Sequence, residues 1–208
     1  NSLREVKQRI TSTESTAQIT KAMYMVSSSK VKKAERIYKG YQDFMKRKEE
    51  LVSLMVSKMP EDLEHDLLKP RQIKKTAYLL VTSDRGLAGA YNSSLYKAFE
   101  ERLKQEELSK NDILCGSIGK QGHSYLKRNQ YPIISSSPTL IRDDVMFIDV
   151  LPLANSFIQA YLAKEIDRLV IVYNHYINSL SLEIRFEELL PIGSLRDTES
   201  TIDYIYET

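Results

Sequence analysis

The chain has 208 residues, with 30 Lys and Arg against 28 Asp and Glu, one Cys, no Trp, seven Gly and six Pro. That length holds an α/β domain of ordinary size, alone or with an appendage, and 42% hydrophobic with 28% charged residues excludes wholesale disorder and a collagen-like repeat. Cys115 has no partner, which excludes an internal disulfide scaffold and suits a reducing compartment; apolar runs such as Tyr78–Val81 and Leu169–Tyr173 fall far short of the ~20 residues of a membrane-spanning helix.

No secretory or transit signature opens the chain, which starts at Asn1. The net charge of +2 conceals an asymmetry. Residues 1–59 carry 13 basic side chains against six acidic ones, and the remainder is correspondingly acidic. A basic arm on a mildly acidic body points to two parts with different partners.

Residues 1–59 read as one long helix. From Leu3 to Met59 there is no Pro and a single Gly, Gly40. Steps of three and four from Leu3 pass through Val6, Ile10, Ala17, Tyr24, Val31, Tyr38, Met45, Val52 and Met55 without a slip in register. Twelve of the 16 positions on that line are apolar or aromatic, the pattern of a left-handed coiled-coil seam. At ~1.5 Å per residue the rod is roughly 85 Å long. A lone helix cannot bury its own seam, so the sequence demands a partner helix. Pro60 stops the helix, and residues 60–75, polar and containing Pro70, read as a linker.

Residues 76–208 read as an α/β body with a trailing segment. Strands are expected at Thr76–Ser83, Asp112–Ile118, Tyr131–Ser135, Asp167–Tyr176 and Ser181–Glu187. Helices are expected at Tyr91–Glu107, Gly119–Asn129 and Val145–Ile166, the last starting after Pro152. Strands alternating with helices argue for a mainly parallel sheet covered on both sides, and Leu182, Ile184 and Phe186 alternating with Glu183, Arg185 and Glu187 argue for a strand with one wet face. The fold class is therefore α/β, preceded by a long helix of coiled-coil type.

The body offers little chemistry. Ser83-Asp-Arg-Gly-Leu-Ala-Gly89 joins a strand to a helix but lacks the G-x-G-x-x-G spacing of a dinucleotide site. Gly116-Ser-Ile-Gly-Lys-Gln-Gly122 places Gln121 where a phosphate-binding loop needs Ser or Thr for magnesium. His65, His123 and His175 have no companions at metal-ligand spacing, Cys115 falls inside a strand, and the Ser-rich stretches lack a nucleophile elbow. No catalytic, cofactor-binding or metal-binding residues are assigned. Nucleic acid is disfavoured as a partner because Tyr24, Tyr38 and Tyr41 lie on the seam instead of standing free to stack on bases.

Two segments carry a family resemblance. Thr16-Ala-Gln-Ile-Thr-Lys-Ala-Met-Tyr-Met-Val-Ser27 resembles the T-x-Q-I-T-K-A-M-x-M-V-S stretch near the start of the γ subunit of F-type ATP synthases. The Ser-Asp-Arg-Gly-Leu-Ala-Gly turn of that family, followed by Tyr-Asn, is intact at Ser83–Gly89 with Tyr91 and Asn92. Asp203-Tyr-Ile-Tyr-Glu207 is a weaker third match. Tyr24 stands where the family more often has Gln or Glu, and Ser28-Ser29 where Ala is common. The resemblance implies a second, C-terminal helix beyond Thr208 that pairs with the first, and so supplies the partner the seam demands.

The resemblance further implies a non-catalytic central rotor shaft that couples ion flow through a membrane ring of c subunits to ATP synthesis on a surrounding hexamer of α and β subunits. The expected partners are those α and β subunits, the ε subunit and the c ring. The expected location is peripheral, at the cytoplasmic face of a bacterial cell membrane, without membrane insertion. Lys21, Lys30, Lys32, Lys33 and Arg36 are the expected contacts with acidic loops of β, Met23, one position off the seam, is an expected partner contact, and Tyr204 and Glu207 are expected to meet the c ring or ε.

Overall fold

The computed structural model describes residues 2–58, 65–142, 145–178 and 180–192. The chain divides into two compact units, one up to Lys58 and the other from Met59. The first is a single helix, α1, Leu3–Ser57, 55 residues without a break. Its start is set by a capping box. The Ser2 N–H donates to Glu5 Oε2 at 3.1 Å, and the Glu5 N–H donates to Ser2 Oγ at 3.4 Å. This satisfies amides that have no partner inside the helix and places a carboxylate at its positive end. The box was legible as Ser-x-x-Glu but falls outside the seam pattern from which the helix was read.

The second unit contains β1 (Thr76–Val81), α2 (Tyr91–Gln105), β2 (Ile113–Ile118), α3 (Lys120–Arg128), β3 (Ile133–Ser137), α4 (Phe147–Leu162), β4 (Arg168–Asn178) and β5 (Ser181–Leu190). The sheet order is β3-β2-β1-β4-β5; all neighbours run parallel except the β4–β5 pair.

Side chains alternate across each strand, so β1 feeds two cores. Tyr78 and Leu80 point into one, with Leu95 and Phe99 of α2 and Leu126 of α3. Ala77 and Leu79 point into the other, with Leu153, Phe157 and Tyr161 of α4. The spacing of these helical residues, four or eight apart, keeps each on one face of its helix. Full burial of a side chain such as Phe99 or Phe157 contributes about 1.5–3 kcal/mol. In β5, Ile184 and Phe186 pack against the first core, as alternation requires, whereas Leu182 is 49% exposed towards the end of the hairpin.

Several boundaries differ from the sequence expectation: β1 already ends at Val81, α4 ends at Leu162 and β5 runs on to Leu190, and three further differences have a visible cause. Strand β3 sits two residues later, at Ile133–Ser137, because the Cys115 N–H donates to the Pro132 carbonyl and a register shift between Cys115 and Gly116 carries Gly116 to Ser135. Helix α4 begins before Pro152, not after it. The Met146 N–H donates to Asp149 Oδ2 at 2.8 Å, which caps the start, and the missing proline amide costs a single hydrogen bond. Strand β4 runs on to Asn178 because the hairpin with β5 pairs it there.

From His65 onward the chain ahead of β1 lies against the body. Leu68 is buried, Leu67 packs on the second core, and the Ile192 N–H donates to the Leu67 carbonyl at 2.8 Å.

Candidate interaction surface

In an open α/β sheet, ligands bind beyond the carboxyl ends of the strands, where the strand order reverses. Here that point lies between β1 and β4, and protein groups occupy it. Ser83 and Asn92 form a reciprocal pair: the Ser83 N–H donates to Asn92 Oδ1 at 3.1 Å, and Asn92 Nδ2 donates to Ser83 Oγ at 2.8 Å. Asn174 of β4 donates to the Tyr91 carbonyl at 3.2 Å.

The neighbouring start of α3, where a phosphate would seek amides, is committed in the same way. Asp84 Oδ1 accepts the Lys120 N–H at 3.1 Å, the Ser83 carbonyl accepts that of Gln121 at 3.2 Å, and Thr82 Oγ1 accepts that of Gly122 at 2.8 Å. A carboxylate thus sits where an anion would bind. The two glycine-bearing turns hold each other, and this gives both Ser83–Asn92 and Gly116–Gly122 a structural role.

Among the described residues no group of three His, Cys, Asp or Glu is placed to hold a metal. Cys115 is buried, and burial pushes its thiol pKa up to about 12, so it is an inert part of the first core. A polar knot beneath β1 is structural as well. Tyr78 Oη donates to Glu106 Oε2 at 3.2 Å, Glu106 also pairs with Arg168, and burial with the Glu106 charge pushes the Tyr78 hydroxyl up to about 12.

The larger chemical resource is the surface of α1. Its seam is open: Leu3 and Tyr24 are 82% and 71% exposed, and Val6, Ile10, Val31, Tyr41 and Met55 are exposed too. Thr13 and Thr20, polar members of the seam, turn their hydroxyls inward to donate to the carbonyls of Arg9 and Thr16, at 2.8 Å each. Their hydroxyl protons are thereby committed to the helix, leaving a seam without competing donors at those positions.

The expected contact residues of α1, Lys21, Met23, Lys30, Lys32, Lys33 and Arg36, are all exposed. At about 100° per residue, Lys21, Lys32 and Arg36 fall within an arc of about 60° that runs from one flank of the seam round to the face opposite it. Lys33 lies about 60° beyond Arg36 on the far side, and Lys30 and Met23 lie close together in angle on the other flank of the seam. The helix therefore brings three of these cations into a line and separates the others. Tyr204 and Glu207 lie outside the described residues.

With that geometry in hand, comparison with known proteins is decisive. The model of the ATP synthase family matches residues 2–208. The ATP synthase gamma chain of Exiguobacterium sp. strain AT1b is 36% identical over 206 residues, 99% of this chain and 72% of that protein. The chain belongs to the ATP synthase γ-subunit family. Among solved structures, a chain of the central stalk and c ring of the Tetrahymena thermophila mitochondrial ATP synthase aligns with a TM-score of 0.56. It is 26% identical, with 83% of this chain and 72% of that one covered. The α/β class with a long leading helix is thus that of γ subunits, with a central-stalk chain as structural neighbour. No described helix of this γ-family chain is long and apolar enough to cross a membrane.

Proposed function

We propose that this chain is the central shaft of a rotary ATP synthase and couples ion flow through a membrane c ring to ATP synthesis on a hexamer of α and β subunits. The observation that carries this reading is an unbroken 55-residue helix whose heptad seam is exposed, in a chain of the γ-subunit family. A rod with an apolar seam is completed by a second helix, and a two-stranded rod resists bending and twisting better than one helix. Catalysis is assigned to the hexamer and none to this chain, in keeping with amides and polar side chains that bind one another at the switch point.

Turning an asymmetric rod inside the hexamer would present each β subunit with different side chains in turn. Each orientation would favour a different β conformation, and that difference in contact free energy is what couples rotation to nucleotide affinity. Lys21, Lys32 and Arg36 supply one cationic line, with Lys30, Met23 and Lys33 at other angles, which suits contacts that change with rotation. Acidic loops of β are the proposed counterpart. Tyr204 and Glu207 are proposed to meet the c ring or ε, and the chain is placed peripherally at the cytoplasmic face of a bacterial membrane.

The test is reconstitution. The full-length chain, added to an α/β hexamer, ε and a c-ring membrane sector in vesicles, is expected to give ATP-driven ion pumping and rotation. Hydrolysis by the hexamer that neither changes nor becomes coupled to pumping on adding the chain would overturn the proposal.

A further inference from the structure

We infer that Arg71 and Asp167 form the clasp through which mechanical load enters the α/β body, which makes Arg71 a positioning residue for rotary coupling. The inference rests on the shaft reading above. The chain coming from α1 enters the body along residues 65–75, just ahead of β1. A pull at that point would, without other attachments, load the first residue of β1 and then the next, so that the ladder opens one bond at a time. Attachments ahead of β1 that bear load together remove that weakness.

The attachments are concentrated on one pair. Arg71 Nε donates to Asp167 Oδ1 at 2.8 Å, and Arg71 Nη2 donates to the carbonyls of Tyr161, at 2.7 Å, and Ile166. The guanidinium lies 4.0 Å from the centre of the Tyr161 ring. The second carboxylate oxygen, Asp167 Oδ2, accepts the N–H groups of Lys74 at 2.9 Å and Lys75 at 3.0 Å, and the Asp167 N–H returns to the Lys75 carbonyl at 2.8 Å. One step earlier in the segment, Tyr161 Oη donates to the Lys69 carbonyl at 3.2 Å.

Both Asp167 oxygens and several directed Arg71 donors are therefore spent on joining the entering segment to the end of α4 and the start of β4. Charge-assisted bonds of fixed direction in a shielded site are the strong kind, and the Asp167 side chain is only 11% exposed. An ordinary surface ion pair would hold such a segment weakly.

The experiment uses the full-length chain assembled with its hexamer and membrane sector in vesicles, with ATP-driven pumping measured against an imposed opposing ion gradient. Hydrogen exchange is followed in the same complexes. In Arg71→Met and Asp167→Asn, exchange at the Lys74 and Lys75 amides is expected to rise on the order of tenfold or more while β4 stays protected. Hydrolysis without a gradient is expected to hold, and pumping to stall at a smaller opposing gradient than in wild type, with Arg71→Lys intermediate.

A wild-type stall gradient despite faster exchange overturns the inference, as does unchanged exchange at Lys74 and Lys75. Tyr161→Phe, which removes only the bond to Lys69, carries the same test if the charged variants fail to assemble: an unchanged stall gradient with faster exchange at residues 67–69 overturns the inference. Failure of the wild-type chain to pump at all would count against the shaft reading instead.

Discussion

Gly119 passes so close beneath Thr82 that a β-carbon on it would lie 2.3 Å from the Thr82 carbonyl oxygen. Its φ of +91° is also one that side-chain-bearing residues rarely adopt. This approach lets the amides at the start of α3 reach Thr82, Ser83 and Asp84, and so closes the end of the sheet. Gly119→Ala is expected to destabilise the chain by about 3 kcal/mol or more, lowering Tm by roughly 6–12 °C. Gly86→Ala, with open space around the new methyl, is the control expected to leave Tm nearly unchanged.

Asp167 links stability to acid. Burial alone would push its pKa up, but the N–H groups of Lys74 and Lys75 and the Arg71 charge outweigh it and hold the carboxyl below its usual 3.8. A carboxyl with a lowered folded pKa stabilises above its unfolded value, and that contribution disappears as pH falls through the folded value. Melts between pH 7 and pH 2.5 should therefore fall more steeply below about pH 4 in wild type than in Asp167→Asn. At neutral pH the Asn variant should be less stable by about 2–4 kcal/mol, because Arg71 is left without its counter-charge.

Cys115 should not react in the folded chain. Its side chain is fully buried and its thiol is pushed up to about 12. A thiol-disulfide reagent at pH 8 is expected to modify it only as denaturant unfolds the body, so the labelling curve should follow the loss of far-ultraviolet circular dichroism from the sheet. Rapid labelling without denaturant would contradict this packing.

Charge reversal on α1 should separate function from folding. Lys32 and Arg36, one helical turn apart, are exposed. Lys32→Glu with Arg36→Glu is expected to change the chain's own stability by no more than about 0.5 kcal/mol each. In the reconstituted complex the same pair should lower coupled ATP synthesis several-fold, with the deficit shrinking as salt is raised, because screening weakens the wild-type attraction to acidic loops. An equal deficit at all salt concentrations would remove the electrostatic account.

The open seam of α1 predicts the behaviour of the isolated chain. With Leu3, Tyr24 and Tyr41 exposed, helicity should rise with protein concentration as a second copy covers the seam. Sedimentation showing a monomer with full helicity at low concentration would contradict it.

Local patterns were the legible part of this chain. Heptad spacing from Leu3 to Met55 and the compact apolar run from Thr76 marked α1 and β1, because periodicity and side-chain shape act over a few residues. Pro152 misled for the same local reason. Its ring disfavours a helix interior, but the Met146–Asp149 cap and the buried face of Leu153, Phe157 and Tyr161 outweigh the single lost bond. The clasp left no local signal: Arg71 sits in a polar stretch that reads as linker, and its carboxylate lies 96 residues away.

The candidate site divides along the same line. That three cations share one arc of a rod, away from its apolar seam, follows from the amino-acid order alone, since a helix converts spacing directly into angle. Whether Ser83–Gly89 and Gly116–Gly122 would present their amides to a ligand was decided only when β1 and β2 paired in register and brought Asp84 and Thr82 against the start of α3. The physical reason is that a hydrogen-bonding group takes whichever partner the fold puts within about 3 Å, and pairing between residues 36 to 40 positions apart depends on the whole sheet.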